Sequence, residues 1–241
     1  MSANPAGSVF YETPSPQTGE RKPPRPEVCS LWLPEKWTPE SFAKEQMLGL
    51  VRQVFFANTT RPVRQVVLSA VEAETDVSQI CREMGDMLAL ETFGSVVVVG
   101  RRSRFSIDEE ASGSAHDFAS QFANRPLRRI ATLVRSNLWL APSLESNGAS
   151  VTAASLHSYL GEIRREFEYS IVEARPAGES NETTALAQFA DGIILVLSAM
   201  RTRRATALKA KEMLERASAH LLGTVLTDRA FPIPESLYRR L

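Results

Sequence analysis

A doubly wound α/β fold, with a mainly parallel sheet covered by helices on both faces, is what this sequence predicts. Its short apolar runs, such as VVVV at 96–99 and GIILVLS at 192–198, are continuous rather than alternating, which is the pattern of strands buried on both sides. Amphipathic stretches of helical length separate these runs, so the order reads strand, helix, strand. The 241 residues, 43% hydrophobic and 23% charged, suffice for one globular domain or at most two small ones.

Eight of the 14 prolines fall in the first 40 residues, mixed with Ser, Thr, Gly and charge. Such a segment cannot bury enough surface to offset its chain entropy, so residues 1–30 read as a flexible leader ahead of a single domain at 31–241. Trp32, Leu33 and Trp37 close that tract, and tryptophans so placed dock on apolar surface, either of the domain itself or of a partner. From 40 to 57 the residues Phe42, Leu48, Val51 and Phe55 recur at helical spacing. RQVVLS at 64–69 is then a strand, 76–90 a helix and GSVVVV at 94–99 a second strand. Residues 101–137, polar and rich in Ser, Arg and Gly, read as surface structure inserted between strands. The rhythm resumes with a helix at 151–167, YSIVE at 169–173, GIILVLS at 192–198, a helix at 202–219 and LLGTVLT at 221–227. There is no internal repeat.

Several classes of function are excluded by what the chain lacks. With 28 basic and 28 acidic side chains the formal charge is +0, so no global field recruits nucleic acid or an anionic bilayer. Cys29 and Cys81 do not make a disulfide framework, and the first residues do not read as a signal segment, which implies a reduced, cytoplasmic setting. No apolar run approaches the roughly 20 residues that cross a bilayer. His116, His157 and His220 have no second ligand at i+3 or i+4 and read as packing or surface residues rather than metal ligands. Ser69 and Ser78 have no base nearby in sequence, and there is no G-x-S-x-G elbow.

In a sheet of this kind ligands bind outside the carboxyl ends of the strands. The first strand-to-helix turn reads SAVEAETDVS at 69–78. A phosphate cradle needs glycines that turn backbone N–H groups inward, a lysine for the β- and γ-phosphates and a Ser or Thr for magnesium. This turn has neither glycine nor lysine.

The order of VVLSAVEAETDVS, VVVVGRRSR, NLWLAP, FEYSIVEARP and FADGIILVLSAMRTRRATALKAKEMLERASAHLLGTVLT resembles the bacterial tyrosine autokinase family of capsule and exopolysaccharide synthesis. That family is a branch of the P-loop ATPases that also holds the partition and division-site ATPases. The resemblance covers roughly 40–228 and implies a P-loop NTPase-like fold. It is strongest in the last third, which is structural rather than catalytic.

Carried over position by position, the family's phosphate-handling motifs are replaced. Its glycine-rich loop falls on Ala73, Glu74, Thr75, Asp76, Val77 and Ser78, where Ser78 alone matches in kind. Its second acidic motif falls on Gly100, Arg101 and Arg102; its third falls on Glu173, which keeps an acid, followed by Pro176. Asp76 in place of the loop lysine turns an attraction of about 4 kcal/mol, for unit charges at about 4 Å and an effective dielectric near 20, into a similar repulsion. The resulting swing of about 8 kcal/mol equals the whole of a micromolar affinity. Arg101, Arg102 and Arg104 either approach phosphate from the other side of the cleft or form a solvated cluster. The family's C-terminal tyrosine cluster is reduced to Tyr238 in FPIPESLYRRL, and its N-terminal Glu-Arg-Arg assembly pattern falls on Glu45, Leu48 and Val51. RTRR at 201–204 implies a structural or nucleotide-proximal role, RPLRR at 125–129 a solvated surface, and the closing segment docks either on its own domain or on a partner.

The resemblance therefore implies a catalytically degenerate relative that keeps the fold as an interaction or regulatory module. It would need no cofactor and would meet a separate membrane chain-length or export protein, or active kinase homologues, at the inner face of the membrane. The alternative is a residual ATP- and magnesium-binding kinase or ATPase that uses Ser78, Glu173, Arg101 and Arg102. A third reading, a partition-like ATPase that places cargo, is disfavoured by the neutral charge and the missing lysine.

Overall fold

The computed structural model describes residues 39–57, 62–100, 126–143 and 152–228. Arg101, Arg102 and Arg104, the tryptophans at 32 and 37, His116 and the segments 1–38 and 229–241 lie outside the described residues.

Seven strands form one sheet in the order β3-β4-β2-β5-β1-β6-β7. They are β1 (Gln65–Ala70), β2 (Val96–Gly100), β3 (Thr132–Arg135), β4 (Leu138–Pro142), β5 (Tyr169–Glu173), β6 (Gly192–Ser198) and β7 (Leu221–Thr227). All neighbours run parallel except β3, which is antiparallel to β4. β1 lies between β5 and β6, with Leu68 beside Glu173 and Ile194. All six of its residues are buried, which is why QVVLSA shows no polar alternation.

Among the described residues five α-helices accompany the sheet: α1 (Pro39–Val51), α2 (Val77–Glu91), α3 (Ala153–Glu166), α4 (Asn181–Phe189) and α5 (Arg204–Arg216). The turn after α1, Arg52–Phe56, widens to π geometry and buries Val54 and Phe55. Helices α1 and α2 cover one face, where Val51, Phe55, Ile80, Met84 and Leu88 pack on Val66, Leu68, Val98 and Ile171. Helices α3, α4 and α5 cover the other, where Leu160, Ile163, Leu186 and Leu214 meet Val67, Val97, Val172 and Ile193. Three helices start at the polar caps that satisfy their first N–H groups: Asp76 accepts from Ser78 N at 3.1 Å, Thr152 from Ser155 N at 3.2 Å and Ser180 from Glu182 N at 3.1 Å.

Besides β4, which the sequence reading left unassigned although it pairs parallel with β2, two corrections to the sequence reading follow. Within 101–137, the stretch expected to be an insertion, residues 126–137 carry a 3₁₀ turn, Leu127–Arg129, and strand β3. β3 is an edge strand whose Leu133, Val134 and Arg135 are exposed, and its polar texture reflects that edge. RPLRR is likewise tied down in part: Leu127 is buried, and the Arg128 guanidinium lies over Trp139 at 4.9 Å and Phe167 at 5.3 Å. The second correction is α4, which the sequence reading omitted. Nine residues with only Thr183, Leu186 and Ala187 buried leave too short an apolar stripe for periodicity to register.

Candidate functional site

Parallel pairing places the ends of β1, β5, β6 and β2 on one edge of the sheet. The helix that follows β1, α2, goes to one face; those that follow β5 and β6, α4 and α5, go to the other. The crevice of a doubly wound sheet opens where neighbouring connections diverge in this way, so the end of β1 is the candidate site.

The turn from β1 to α2 folds tightly, with Thr75 N donating to Glu72 O at 3.3 Å. Asp76 then caps α2, and two positions on, Ser78 Oγ donates to Glu173 Oε1 at 2.9 Å. Glu173 ends β5 and is only 5% exposed. Two carboxylates of the chain therefore face the α2 N-terminus, where the helix dipole favours negative charge. Between the turn and β5 a small cavity of about 30 Å³ remains, lined by Ala73, Thr75, Asp76, Ser78, Glu173 and Pro176. The neighbouring strand ends are tied in as well. Ser69 Oγ and Thr183 Oγ1 both donate to Arg175 O, at 2.6 and 2.7 Å, and Ser198 Oγ donates to Asp228 Oδ2 at 2.7 Å. Thr202 Oγ1 accepts from Ser198 N at 2.9 Å and donates to Glu72 Oε2 at 3.3 Å.

Outside this knot a groove of about 340 Å³ runs between α2 and the end of β7. Among the described residues, Glu74, Asp76, Glu83 and Asp228 line it against one guanidinium, that of Arg201. The described lining of the groove is therefore mainly acidic.

Cys81 lies one turn into α2 and is fully buried. Burial, followed by the charges of Glu173 and Asp76, pushes its thiol well above the usual range, so it is not a nucleophile. His157 packs its ring against Phe189 at 4.8 Å and His220 Nδ1 meets Asp191 O at 3.1 Å. Among the described residues no three His, Cys, Asp or Glu converge on a metal position. A hollow of about 560 Å³ beside Arg52, Phe56 and Glu91 holds one ion pair, Arg52 Nε to Glu91 Oε2 at 2.8 Å, and no convergent chemistry.

Of the residues the sequence singled out, Ser78 and Glu173 meet, Arg201 lines the adjacent groove, and Arg101 and Arg102 follow β2 outside the described residues. Sequence reasoning missed Asp228 and Glu72. Asp228 adopts a positive φ of 54°, and its role follows from the β6–β7 pairing, which no local motif announces. No described helix is long and apolar enough to cross a membrane.

No family model matches the chain. Over 64 residues it is 36% identical to the tyrosine-protein kinase CpsD of Streptococcus agalactiae, in a serotype III and a serotype Ia strain. The match takes in 27% of this chain and 28% of CpsD, so the chain spans about 28% of the length of the curated relatives it matches. Among solved structures, the chimerical protein CapA2B2 superposes with a TM-score of 0.63 at 15% identity, covering 78% of this chain and 84% of that one. The kinase domain of the Escherichia coli tyrosine kinase ETK superposes at 0.64 and 11% identity, covering 80% and 79%. A ParA family ATPase of Chlorobium tepidum superposes at 0.52 and 13% identity, covering 68% and 73%. The chain has the P-loop NTPase-like fold that its sequence predicts, shared with bacterial tyrosine kinase domains and partition ATPases.

Proposed function

We propose that the chain uses this P-loop NTPase-like fold as an interaction or regulatory module of exopolysaccharide or capsule synthesis, without phosphoryl transfer. The observation that carries the reading is the α2 N-terminus. In an active P-loop this is the anion site; here Asp76 caps it and the Ser78–Glu173 bond closes it from β5. The residues present do not fit a magnesium-bound triphosphate. The turn offers no lysine and no glycine, the space left is about 30 Å³, and the adjoining groove adds three further carboxylates, Glu74, Glu83 and Asp228. Each approach of phosphate to a carboxylate costs about 4 kcal/mol at about 4 Å in an effective dielectric near 20.

On this reading the chain works in the cytoplasm at the inner face of the membrane. It acts by occupying a separate chain-length or export protein, or by joining active kinase homologues, and binds neither nucleic acid nor a cofactor. The test is calorimetric titration with a non-hydrolysable ATP analogue and magnesium, beside an active homologue, together with a pull-down of polysaccharide export components. Absence of heat at millimolar analogue and recovery of an export component support the proposal; micromolar binding refutes it.

A second reading has one observation in its favour: Ser78 and Glu173, a hydroxyl and an acid of the kind a magnesium site uses, stand together at 2.9 Å. It requires magnesium-dependent ATP turnover that Glu173→Gln abolishes.

A further inference from the structure

We propose that the exposed face at the start of α5 is a docking surface for an acidic segment of a protein partner, anchored by an apolar side chain. The proposal rests on the reading of the chain as an interaction module and names the chemistry that its partner presents. α5 packs Ala210 and Leu214 into the core and leaves Arg204, Leu208, Lys209 and Lys211 exposed, with Arg203 exposed just before it. Arg204, Leu208 and Lys211 stand at i, i+4 and i+7, so they form one stripe with Lys209 beside it. Met200, in the turn that leads into the helix, is 72% exposed and Leu208 46%.

The two ends of the helix hold their charges differently. Toward the carboxyl end, Lys211 Nζ meets Glu215 Oε1 at 3.4 Å and Arg216 Nη2 meets Glu212 Oε2 at 3.6 Å. At the amino end, Arg203, Arg204 and Lys209 enter no ion pair among the described residues. Helix stability does not call for arginines there, because the dipole makes the first turn the least favourable place for a cation. An acidic segment accounts for them: its carboxylates meet Arg203, Arg204 and Lys209, and an apolar side chain among those carboxylates covers Leu208 and Met200. A bilayer or a nucleic-acid duplex fits this edge less well. Arg201, two residues before Arg203, lines the groove that carries Glu74, Asp76, Glu83 and Asp228, and a broad anionic surface laid across the edge meets these carboxylates too. A single segment that follows the helix stripe does not.

The experiment titrates the full chain, by fluorescence anisotropy, into a labelled peptide of about 12 residues in which two leucines stand among glutamates. Expected is saturable binding that weakens at least about 10-fold when Arg203→Glu and Arg204→Glu are combined, and at least about 3-fold in Leu208→Ser. Arg165→Glu combined with Arg216→Glu reverses as many charges elsewhere and should weaken it less than about 2-fold. Glutamate at the start of α5 agrees with the helix dipole, so the first double variant should fold, with an unchanged or higher urea midpoint. A peptide with serine in place of its leucines is the second measurement, made on the unaltered chain, and should bind at least about 3-fold more weakly. No binding at millimolar protein, equal losses in the two double variants, or undiminished binding of the serine peptide overturns the proposal. So does tighter binding to phosphatidylserine vesicles or duplex DNA through the same arginines. A dimer in light scattering that Arg203→Glu with Arg204→Glu abolishes also overturns it, because a second copy is then the occupant. The ATP-analogue titration judges the interaction-module reading separately, so failure of the peptide with no heat from the analogue refutes this surface and leaves that reading standing.

Discussion

Ser78→Ala isolates the contact that joins the start of α2 to the end of β5. The bond removed is 2.9 Å long and ends on a carboxylate that is 5% exposed, a setting in which a hydrogen bond contributes about 1.5–3 kcal/mol. Against this, alanine is the better helix former in the first turn of α2 by about 0.5 kcal/mol. The net loss expected is therefore about 1–2.5 kcal/mol, which in a domain of this size lowers Tm by about 2–10 °C. Urea denaturation followed by circular dichroism reads it as a lower midpoint at unchanged slope. Glu173→Gln keeps an acceptor for Ser78 but removes the charge, and should cost less, about 1 kcal/mol. Because both changes act on one bond, the double variant should lose at least about 0.5 kcal/mol less than the sum of the two. A Ser78→Ala loss below about 0.5 kcal/mol, or additivity within about 0.3 kcal/mol, would refute the claim that this bond closes the site.

Asn137→Ala should destabilise the chain by about 1–3 kcal/mol in the same urea assay, because the two hydrogens of its Nδ2 are shared among Ala89 O, Thr92 O and Gly94 O, carbonyls in the last turn of α2 and just after it. Gly85→Ala sets helix propensity against packing. Alanine gains about 1 kcal/mol in the helix, but its Cβ would press into Val98 Cγ2, and overpacking at about 1–3 kcal/mol wins, so Tm falls rather than rises. Stability should decline as pH rises above about 8.5, and more steeply above about 10. Burial pushes the Cys81 thiol and the Tyr159 hydroxyl up, so the folded state holds protons that the unfolded state releases. Cys81→Ala should flatten the first part of that decline and Tyr159→Phe the second, in urea midpoints taken from pH 7 to 10.5.

The buried strands were readable because burial on both faces leaves its mark on every residue. YSIVE and GIILVLS match β5 and β6 residue for residue; LLGTVLT matches β7 as well, although none of its residues is buried and only its apolar run marked it. β3 was not, since three of its four residues are exposed and only pairing with β4 makes TLVR a strand. α4 did carry one usable sign, Ser180 followed by Asn181 and Glu182, which is a cap signature. At the site, the missing lysine and glycines were legible in the sequence, and the capping role of Asp76 could be read from its place before an amphipathic run. The bond from Ser78 to Glu173 could not, because 95 residues separate the partners and strand order alone brings them together. The same holds for Asn137, whose three acceptors lie 43–48 residues away.

The position of β1 between β5 and β6 governs how this chain comes off the ribosome. QVVLSA emerges with no neighbour to pair with, since its two partners begin at Tyr169 and Gly192, about a hundred residues later. At synthesis rates of about 5–20 residues per second, this fully buried strand waits about 5–20 s for its first partner. Parallel pairing over such separations is slow even once both strands exist. A segment that is apolar, β-prone and uncharged during that interval is a site for chaperone capture, and yield in the cell will depend on how well it is shielded until β5 arrives.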